Sequence, residues 1–379
     1  MANAYIDQPS EVRKSDALNN ELLEQYVRKT ISGLTGSMQV KQFKGGASNL
    51  TYQLDFDNRS IILRCPPPGT KAKSAHDMGR EFNIMQKLKP VFPFVPEMIV
   101  HCTDETLIGR EFYLMEKLNG IIPRANFPKG LQLSPKQCRE LCIHFVDKLI
   151  ALHSVDIKQC GLDTIGKGSG YVARQINGWS ERYTKALTPN VATGEGVMNW
   201  LKKKMPEDVS SCLIHGDYRL DNAVLNPNNP VEITAILDWE MATIGDPLMD
   251  LGNSLAYWVE ANDPAPMKLI RRQPSHLPGM MTRDEIVSYY CTKTGLQVNN
   301  FRFYRVYGLF RLAVIAQQIY YRYYHKQTDN PQFKNFHLMV QYLLIQCEEL
   351  IASSAIEKLS ILPRKLWLYV QFGLASLQK

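Results

Sequence analysis

The sequence has no cysteines spaced closely enough to suggest a metal-binding or redox motif. Its eight cysteines are scattered, and none forms a Cys-x-x-Cys pair or a cluster with zinc-ligand spacing. They are Cys65, Cys102, Cys138, Cys142, Cys160, Cys212, Cys291 and Cys347. This distribution is typical of reduced thiols, and we therefore expect a cytoplasmic protein.

Long hydrophobic runs are also missing. Residues 1–14 are polar and contain no apolar segment of the kind found in secretory signals. The most apolar stretch near the end, residues 366–375, is interrupted by Gln371 and is much shorter than the roughly 20 residues that span a bilayer. The sequence therefore predicts no secretory signal and no transmembrane segment.

The chain carries a net charge of +7 but has no dense basic patch. Its 379 residues are 45% hydrophobic and 21% charged, which is enough for two lobes with sizeable cores. Positive residues are dispersed, with only short runs such as residues 202–204. A nucleic-acid surface would be denser and interleaved with exposed aromatics. We therefore expect an anionic small molecule as partner and no nucleic acid, while the oligomeric state stays open.

The first part of the chain has the pattern of a small antiparallel sheet with few helices. Strands are predicted at 40–43, 50–56, 60–65, 99–102 and 111–118, and helices at 21–31 and 76–88. After Gly120 the pattern becomes helical, with helices at 135–153 and 173–187 and further helices from 247 onward. Only residues 213–237 interrupt it, as a loop followed by a two-stranded hairpin. The division predicts two domains, residues 1–118 and 119–379.

One segment, residues 213–222, carries the most specific chemical signal. An apolar segment directly precedes His215, Gly216 and Asp217. Asn222 lies five residues after Asp217. In phosphoryl transfer, an aspartate and an asparagine at this spacing orient the acceptor hydroxyl and bind a metal ion. We interpret His215 as a residue that holds the loop by hydrogen bonds and not as the base.

A second carboxylate, Asp238, follows a hydrophobic strand directly after the hairpin. The hairpin is expected to bring Asp238 close to Asn222, and two oxygen ligands of this kind suit Mg²⁺. Taken alone, an aspartate at a strand end is often a helix cap. Because Asp238 follows the segment that carries Asp217 in the sequence, we interpret it as a candidate metal ligand.

Two features of the sheet region are candidates for holding phosphates. The first is the turn between the first two strands, where the polar or flexible residues are Gly45, Gly46, Ser48 and Asn49. The second is Arg64, which shares a strand face with Ile62 and could be held by Glu81 on the following helix. Each also has a plain structural interpretation, as a simple hairpin or as a surface ion pair.

The order of these parts is that of a two-lobed kinase. It predicts an α+β fold with a small antiparallel-sheet N-lobe and a mostly helical C-lobe.

The motifs resemble those of the aminoglycoside phosphotransferase family, which also includes choline and homoserine kinases. The family's His-Gly-Asp-x-x-x-x-Asn motif stands at 215–222, its Leu-Asp-Trp-Glu motif at 237–240, and a following Gly-Asp-Pro segment at 245–251. The likeness covers roughly residues 38–345. Within the family, the sequences at 63–69, 80–82, 111–116 and 170–175 resemble the kinase domain that is fused to acyl-CoA dehydrogenase in some larger proteins.

This resemblance implies a bilobal, protein kinase-like fold and a Mg²⁺-dependent kinase that uses ATP or GTP. It implies that Asp217 is the catalytic base, that Asn222 and Asp238 bind Mg²⁺, and that Arg64 contacts phosphates. Residues Glu116 to Leu118 would form the hinge that offers backbone groups to adenine. The implied acceptor is a hydroxylated acyl-CoA.

Four residues are candidates for contacting the acceptor. Tyr171 and Arg174 follow a glycine-rich connector at 166–170 that could border the acceptor site, and Arg219 and Glu240 lie within the two motifs. Two other functions stay open: phosphorylation of an aminoglycoside or another small alcohol, and nucleotide binding without transfer. The net positive charge disfavours aminoglycosides, because polycations need an acidic cleft.

Two segments allow alternative interpretations. Residues 301–324 have helical spacing of aromatics that favours core packing, although Arg302, Arg305, Arg311 and Arg322 could form an anion-binding surface. The apolar run after residues 363–365 could form a partner-binding or membrane-surface helix. A packed or frayed terminal helix is the favoured interpretation.

Overall fold

The first third of the chain folds around a five-stranded antiparallel sheet. The structure, a computed structural model, describes residues 5–43, 49–68, 77–298 and 300–377. Within these ranges the strands of the sheet are β1 (Gln39–Gln42), β2 (Leu50–Asp55), β3 (Ser60–Cys65), β4 (Met98–Cys102) and β5 (Phe112–Glu116), in the spatial order β1-β2-β3-β5-β4. All five strands lie where the alternation of the sequence predicted them.

One helix packs against each face of the sheet. Helix α1 (Asn20–Thr30) contacts the face that carries Leu63 and Leu114, and helix α2 (Met78–Leu88) contacts the face that carries Ile62 and Tyr113. Because successive side chains of a strand point to opposite faces, Arg64 lies on the α2 side with Ile62. The predicted face for Arg64 is therefore confirmed.

The remaining helices form the larger part of the molecule. They are α3 (Pro135–His153), α4 (Tyr171–Lys185), α5 (Glu195–Lys203), α6 (Pro247–Ala256), α7 (Ala265–Leu269), α8 (Arg283–Thr294), α9 (Arg302–Tyr324), α10 (Phe336–Ile351) and α11 (Ala355–Leu377). Helix α3 has the predicted bounds, because Ser134 and Gln137 form a capping box and Pro135 occupies the first turn. The predicted α+β fold with a small sheet and a mostly helical remainder is confirmed.

Two small antiparallel ribbons lie between these parts. Strand β7 (Ala223–Leu225) pairs with β8 (Ile233–Ile236), as predicted for the hairpin. Strand β6 (Cys212–Ile214) pairs with β9 (Thr243–Gly245), a pairing that the sequence did not predict. Together the ribbons place the loops 215–222 and 237–242 side by side.

A short connection joins the sheet to the helical part and is attached to the first ribbon. Ile121 donates a backbone hydrogen bond to Leu225 over 2.9 Å and accepts one from it over 2.8 Å. The largest hydrophobic cluster includes Phe82 of α2, Leu149 of α3 and Val314 of α9, so one core joins the sheet region to the helices. In the described part of the chain, no helix combines the length and apolar character needed to cross a membrane.

Candidate functional site

The loop that carries Asp217 is held by a buried carboxylate on α6. Asp250 is fully buried and accepts hydrogen bonds from the backbone N–H groups of His215, over 2.9 Å, and Gly216, over 2.8 Å. His153 of α3 lies 3.2 Å from the same carboxylate through Nε2, and its Nδ1 lies 2.7 Å from the hydroxyl of Tyr290. This chain of side chains fixes the backbone on which Asp217 stands.

The charge of Asp250 is stabilised despite its burial. Burial acts to raise the pKa of Asp250, but the hydrogen bond and charge of His153, together with His215, outweigh it. The pKa of Asp250 therefore lies below its usual value, and the group is ionised at neutral pH.

Both ring nitrogens of His215 form hydrogen bonds with backbone groups. Its Nε2 lies 3.0 Å from the carbonyl of Leu237 and so carries the proton that is donated there. Its Nδ1 accepts a hydrogen bond from the backbone N–H of Asp217 over 3.2 Å. Burial lowers the pKa of His215, so the ring is neutral at physiological pH. This geometry supports the interpretation of His215 as a loop-holding residue.

Asp217 and Asn222 face each other across the loop. The Nδ2 of Asn222 donates to the backbone carbonyl of Asp217 over 2.9 Å and lies 3.3 Å from its Oδ2. The side-chain carbonyl of Asn222 is thus directed away from that contact. Arg219 lies 3.1 Å from Asp217 and 3.3 Å from Asp221, and its guanidinium stacks 4.6 Å above the ring centre of Tyr257.

Asp238 stands opposite this loop and contacts the sheet. Its backbone has φ 71° and ψ 60°, the left-handed region that residues other than glycine seldom occupy. Arg64 donates a hydrogen bond to Oδ1 of Asp238 over 2.6 Å. Burial acts to raise the pKa of Asp238, but Arg64, with smaller contributions from His215 and Arg219, lowers it overall. Asp238 is therefore a carboxylate at neutral pH.

Arg64 is surrounded by acidic side chains. Besides Asp238, it lies 3.1 Å from Glu81 of α2 and 3.7 Å from Glu240. Glu81 is 1% exposed, and burial raises its pKa although Arg64 opposes the shift. The predicted pairing of Arg64 with Glu81 is present.

Contacts from the sheet region converge on residues 238–242. Asn49 donates to Oε2 of Glu240 over 3.0 Å, and Arg80 of α2 donates to the backbone carbonyls of Glu240, over 3.2 Å, and Ala242. Glu240 therefore faces the sheet and the end of the glycine turn. Of the residues predicted in that turn, Gly45, Gly46 and Ser48 lie outside the described residues.

The other candidates make local contacts. Arg174 donates to the carbonyls of Gly168, over 2.6 Å, and Ser169, and so closes the glycine-rich connector onto α4. Tyr171 is buried at the start of α4, where its ring packs against Gly245. Glu116 accepts a hydrogen bond from the backbone N–H of Glu97 over 2.7 Å. Leu118 is half-buried in the connection to the helical part.

Arg311 lies beneath the loop and not on the surface. It is 5% exposed, and its Nη2 donates to the carbonyl of Gly216 over 2.9 Å. Its guanidinium also lies 5.2 Å from the ring centre of Trp179. Arg311 therefore does not belong to the anion-binding surface that the sequence left open as an alternative. The predicted packing of the aromatic helix α9 in the core is correct.

The sequence did not predict the contacts that three residues make around the loop: Asp250, His153 and Arg311. Asp250 lies in the segment 245–251, whose motif marked it but did not reveal its contacts. His153 carried no signal beyond its place at the end of a helix. Among the described residues, no group of three or more His, Cys, Asp or Glu side chains is arranged to hold a metal ion.

Comparison with known proteins places these features in a family. The model of the phosphotransferase enzyme family matches residues 39–284. Acyl-CoA dehydrogenase family member 10 of Mus musculus is 36% identical over 314 residues, which are 82% of this chain and 29% of that protein. Family member 11 of Homo sapiens is 34% identical over 323 residues, 83% of this chain and 40% of that protein. The chain thus spans less than half the length of these relatives.

Solved structures show the same fold. A Ralstonia eutropha protein assigned as an aminoglycoside phosphotransferase aligns with a TM-score of 0.75 and 28% identity, over 88% of this chain and 98% of that one. Choline kinase from Cryptosporidium parvum aligns with a TM-score of 0.61 and 16% identity, over 93% and 100%. The aminoglycoside phosphotransferase APH(4)-Ia, in a ternary complex with AMP-PNP and hygromycin B, aligns with a TM-score of 0.56 and 13% identity, over 88% and 99%.

Proposed function

Because this chain belongs to the phosphotransferase enzyme family, we propose that it transfers the γ-phosphoryl group of ATP to a hydroxyl group of an anionic small molecule. The coarser statement, a small-molecule phosphotransferase that acts on hydroxyl groups, follows from the family and from the structural neighbours. The observation that carries the proposal is the position of Asp217. Its loop is fixed by Asp250, and Asn222 and the pair of Asp238 with Arg64 flank it.

In this proposal Asp217 orients the acceptor hydroxyl and accepts its proton. The loop cannot easily shift, because Asp250 holds two of its N–H groups and Arg311 holds the carbonyl of Gly216. A carboxylate held in this way keeps the attacking oxygen in line, which is the main contribution that a protein makes to phosphoryl transfer.

The residues also fit a magnesium ion. Mg²⁺ prefers oxygen ligands and usually takes one or two from the protein, with water and phosphates completing the shell. Asp238 is ionised, and the amide nitrogen of Asn222 is used on Asp217, so that its carbonyl oxygen is the group left for a metal. The ion would neutralise charge on the phosphates. Arg64 now binds Oδ1 of Asp238, so a metal would use Oδ2 or replace Arg64.

Arg64 is the proposed phosphate contact. Its planar guanidinium suits phosphate oxygens, and Glu81 holds it from the side of α2. ATP as the donor is supported by the fold shared with APH(4)-Ia, which was crystallised with AMP-PNP. Asn49 donates to Glu240, and Glu240 lies 3.7 Å from Arg64, so we move Glu240 from the acceptor side, where the sequence placed it, to the donor side together with Asn49. Adenine would bind to backbone groups between Glu116 and Leu118.

The net charge of +7 supports an anionic acceptor. The relatives' name, acyl-CoA dehydrogenase, supports a hydroxyacyl-CoA-like acceptor, near which we place Tyr171, Arg174 and Arg219. A second candidate is an aminoglycoside, favoured by the structural neighbour with 28% identity. The charge argues against it.

The test is transfer of labelled γ-phosphate from ATP to a panel of acceptors measured side by side. The panel contains hydroxyacyl-CoAs, choline-like alcohols, sugars and aminoglycosides. We expect hydroxyacyl-CoAs to give the highest kcat/KM, whereas preferred transfer to an aminoglycoside would refute the acceptor class. Failure of all acceptors, with nucleotide still bound, would favour a binding protein without transferase activity.

The role of Asp217 is tested with Asp217→Asn. The variant should lose about 10²- to 10⁴-fold in kcat, the usual contribution of a positioned proton acceptor. Its affinity for ATP, measured by calorimetry, should stay nearly unchanged. Asp163→Asn, a change of the same kind at an exposed position, is the control and should keep full activity. Undiminished transfer by Asp217→Asn would refute the mechanism.

A further inference from the structure

Helix α11 presents an apolar surface to solvent along its whole length. Seven of its large hydrophobic side chains are 44–79% exposed. They are Ile356, Leu359, Leu362, Leu366, Trp367, Val370 and Leu374. Only six other large hydrophobic residues in the described part of the chain are exposed, and they are scattered over several elements. We call these seven side chains the outer face of α11.

The opposite side of the same helix is already packed. Ile361 and Leu368 are buried in a cluster with Tyr342 and Ile345 of α10. The spacing of three, four and seven residues places the outer face on the side turned away from this cluster. Helix α11 is therefore apolar on two sides, and the residues that the structure describes cover only one of them. Isolated exposed hydrophobic side chains are common, but a continuous row of seven marks a binding surface.

We propose that the outer face of α11 binds the same face of a second copy of this chain, and that the two helices cross near Leu366 in a two-fold symmetric dimer. The seven side chains expose roughly 700 Å² of apolar surface, if a large apolar side chain counts about 150–250 Å² when fully exposed. Two copies would then bury at most roughly 1,400 Å², reached when all seven side chains of each copy are covered. This area lies within the range of about 1,200–2,000 Å² that specific, stable interfaces bury.

The charges of α11 favour a second copy over a membrane surface. A helix that lies on a membrane needs basic side chains that are available to lipid headgroups. Of the three basic side chains of α11, only Lys358 is exposed without a pair of this kind among the described residues, whereas Arg364 pairs with Glu348 of α10 over 2.5 Å and Lys365 pairs with Glu349 over 2.6 Å. The outer face itself contains no charged residue, so two copies can meet across the two-fold axis without repulsion between like charges.

A cavity lies beside α11, next to its outer face. It has a volume of about 300 Å³ and is lined by Leu344, Ile345, Pro363 and Trp367, among others. A cavity of this size next to the crossing point can take one bulky side chain from the partner. In a two-fold dimer each copy both provides and fills such a cavity, as an isologous interface requires.

The experiment is sedimentation velocity of the full chain over a wide concentration range. We expect a concentration-dependent equilibrium that reaches the mass of two chains. The double variant Leu366→Glu with Val370→Glu should raise the dissociation constant of the dimer by about 30-fold or more, as the loss of a central interface contact does. Leu269→Glu is the matched control, because Leu269 is 63% exposed but lies on α7. It should leave the dimer unchanged.

Crosslinking gives a second measurement, which does not depend on the folding stability of the glutamate variants. In Leu366→Cys the new thiol would face its own counterpart near the axis, so mild oxidation should give a disulfide-linked dimer. Leu269→Cys should give none. The mass of one chain at every concentration, or a dimer that both glutamate substitutions leave intact, would overturn the proposal. So would a monomer that floats with phosphatidylserine-containing vesicles and loses this binding in the double variant. Phosphotransferase activity of the double variant should be normal, so this test does not depend on the proposed function.

Discussion

Arg64 and Asp238 are separated by 174 residues in sequence, yet the guanidinium of one donates a 2.6 Å hydrogen bond to the carboxylate of the other. Strand β3 supplies the first residue and the loop after β8 supplies the second. The pair joins the sheet region to the loop region at the place where we propose that donor phosphates and metal bind. Substitutions around this pair therefore test stability and activity together.

Arg64→Met should both destabilise the fold and weaken ATP binding. It leaves the buried carboxylate of Glu81 without its partner, which costs about 3–5 kcal/mol of unfolding free energy in buried pairs. The double variant Arg64→Met with Glu81→Met should regain much of this stability while the KM for ATP stays raised. Thermal unfolding and initial rates separate the two effects. Lys185→Met, which removes an exposed pair with Glu181, is the control and should leave the unfolding free energy nearly unchanged.

His153→Gln should make the fold more sensitive to acid. The pKa of Asp250 is depressed, so its ionised form contributes stability above the unfolded value of about 3.9, and this contribution is lost as the pH falls through the folded pKa. Without His153 the pKa of Asp250 is lowered less. Acid unfolding should therefore begin at a higher pH. Circular dichroism during acid titration measures the transition. His325→Gln, at an exposed position, should leave it unchanged, and an equal shift in both variants would contradict the role of His153.

Arg311→Met should lower kcat by about 10- to 100-fold, because a displacement of the Asp217 loop by an ångström has effects of this size. The variant removes the donor to the carbonyl of Gly216 but touches no proposed nucleotide contact. The affinity for ATP should therefore stay constant. Arg311→Lys keeps a donor and should recover part of kcat, whereas Arg302→Met on the exposed side of the same helix should have no effect. A rise in the KM for ATP with constant kcat would contradict this role.

Gly216→Ala should be more harmful than the same change at Gly109. Both glycines have φ +79°, where a side chain costs about 1–2 kcal/mol. A Cβ at Gly109 meets no atom within 4 Å, but a Cβ at Gly216 would lie 2.8 Å from the carbonyl oxygen of Met241. Gly216→Ala should therefore lose more unfolding free energy than Gly109→Ala in chemical denaturation and should also lose activity. Equal losses of unfolding free energy in the two variants would show that the structure relieves the contact with Met241 at no energetic cost.

The sequence predicted those parts of the fold that local signals determine. Strand alternation located β3, the amphipathic pattern that begins with Ser134 and Pro135 located α3, and the five-residue spacing of Asp217 and Asn222 identified the loop. The pairing of β6 with β9 was missed because strands of three residues show almost no alternation.

Contacts between distant side chains could not be predicted. His153 and Asp250 lie 97 residues apart, and neither position has a pattern that points to the other. The sequence left open an anion-binding surface that includes Arg311, but this side chain is buried. Its burial depends on Trp179 and on the carbonyl of Gly216, which only the tertiary structure brings to it.

The two backbone hydrogen bonds between Ile121 and Leu225 bear on how the molecule can move. The connection from the sheet is held to strand β7, and β7 begins directly after Asn222. Any rotation of the sheet about this connection would pull on the strand that directly follows Asn222. Opening the site for nucleotide exchange would therefore also move the side chain of Asn222, the proposed metal ligand. Entry of the donor nucleotide would then be coupled to formation of the metal site.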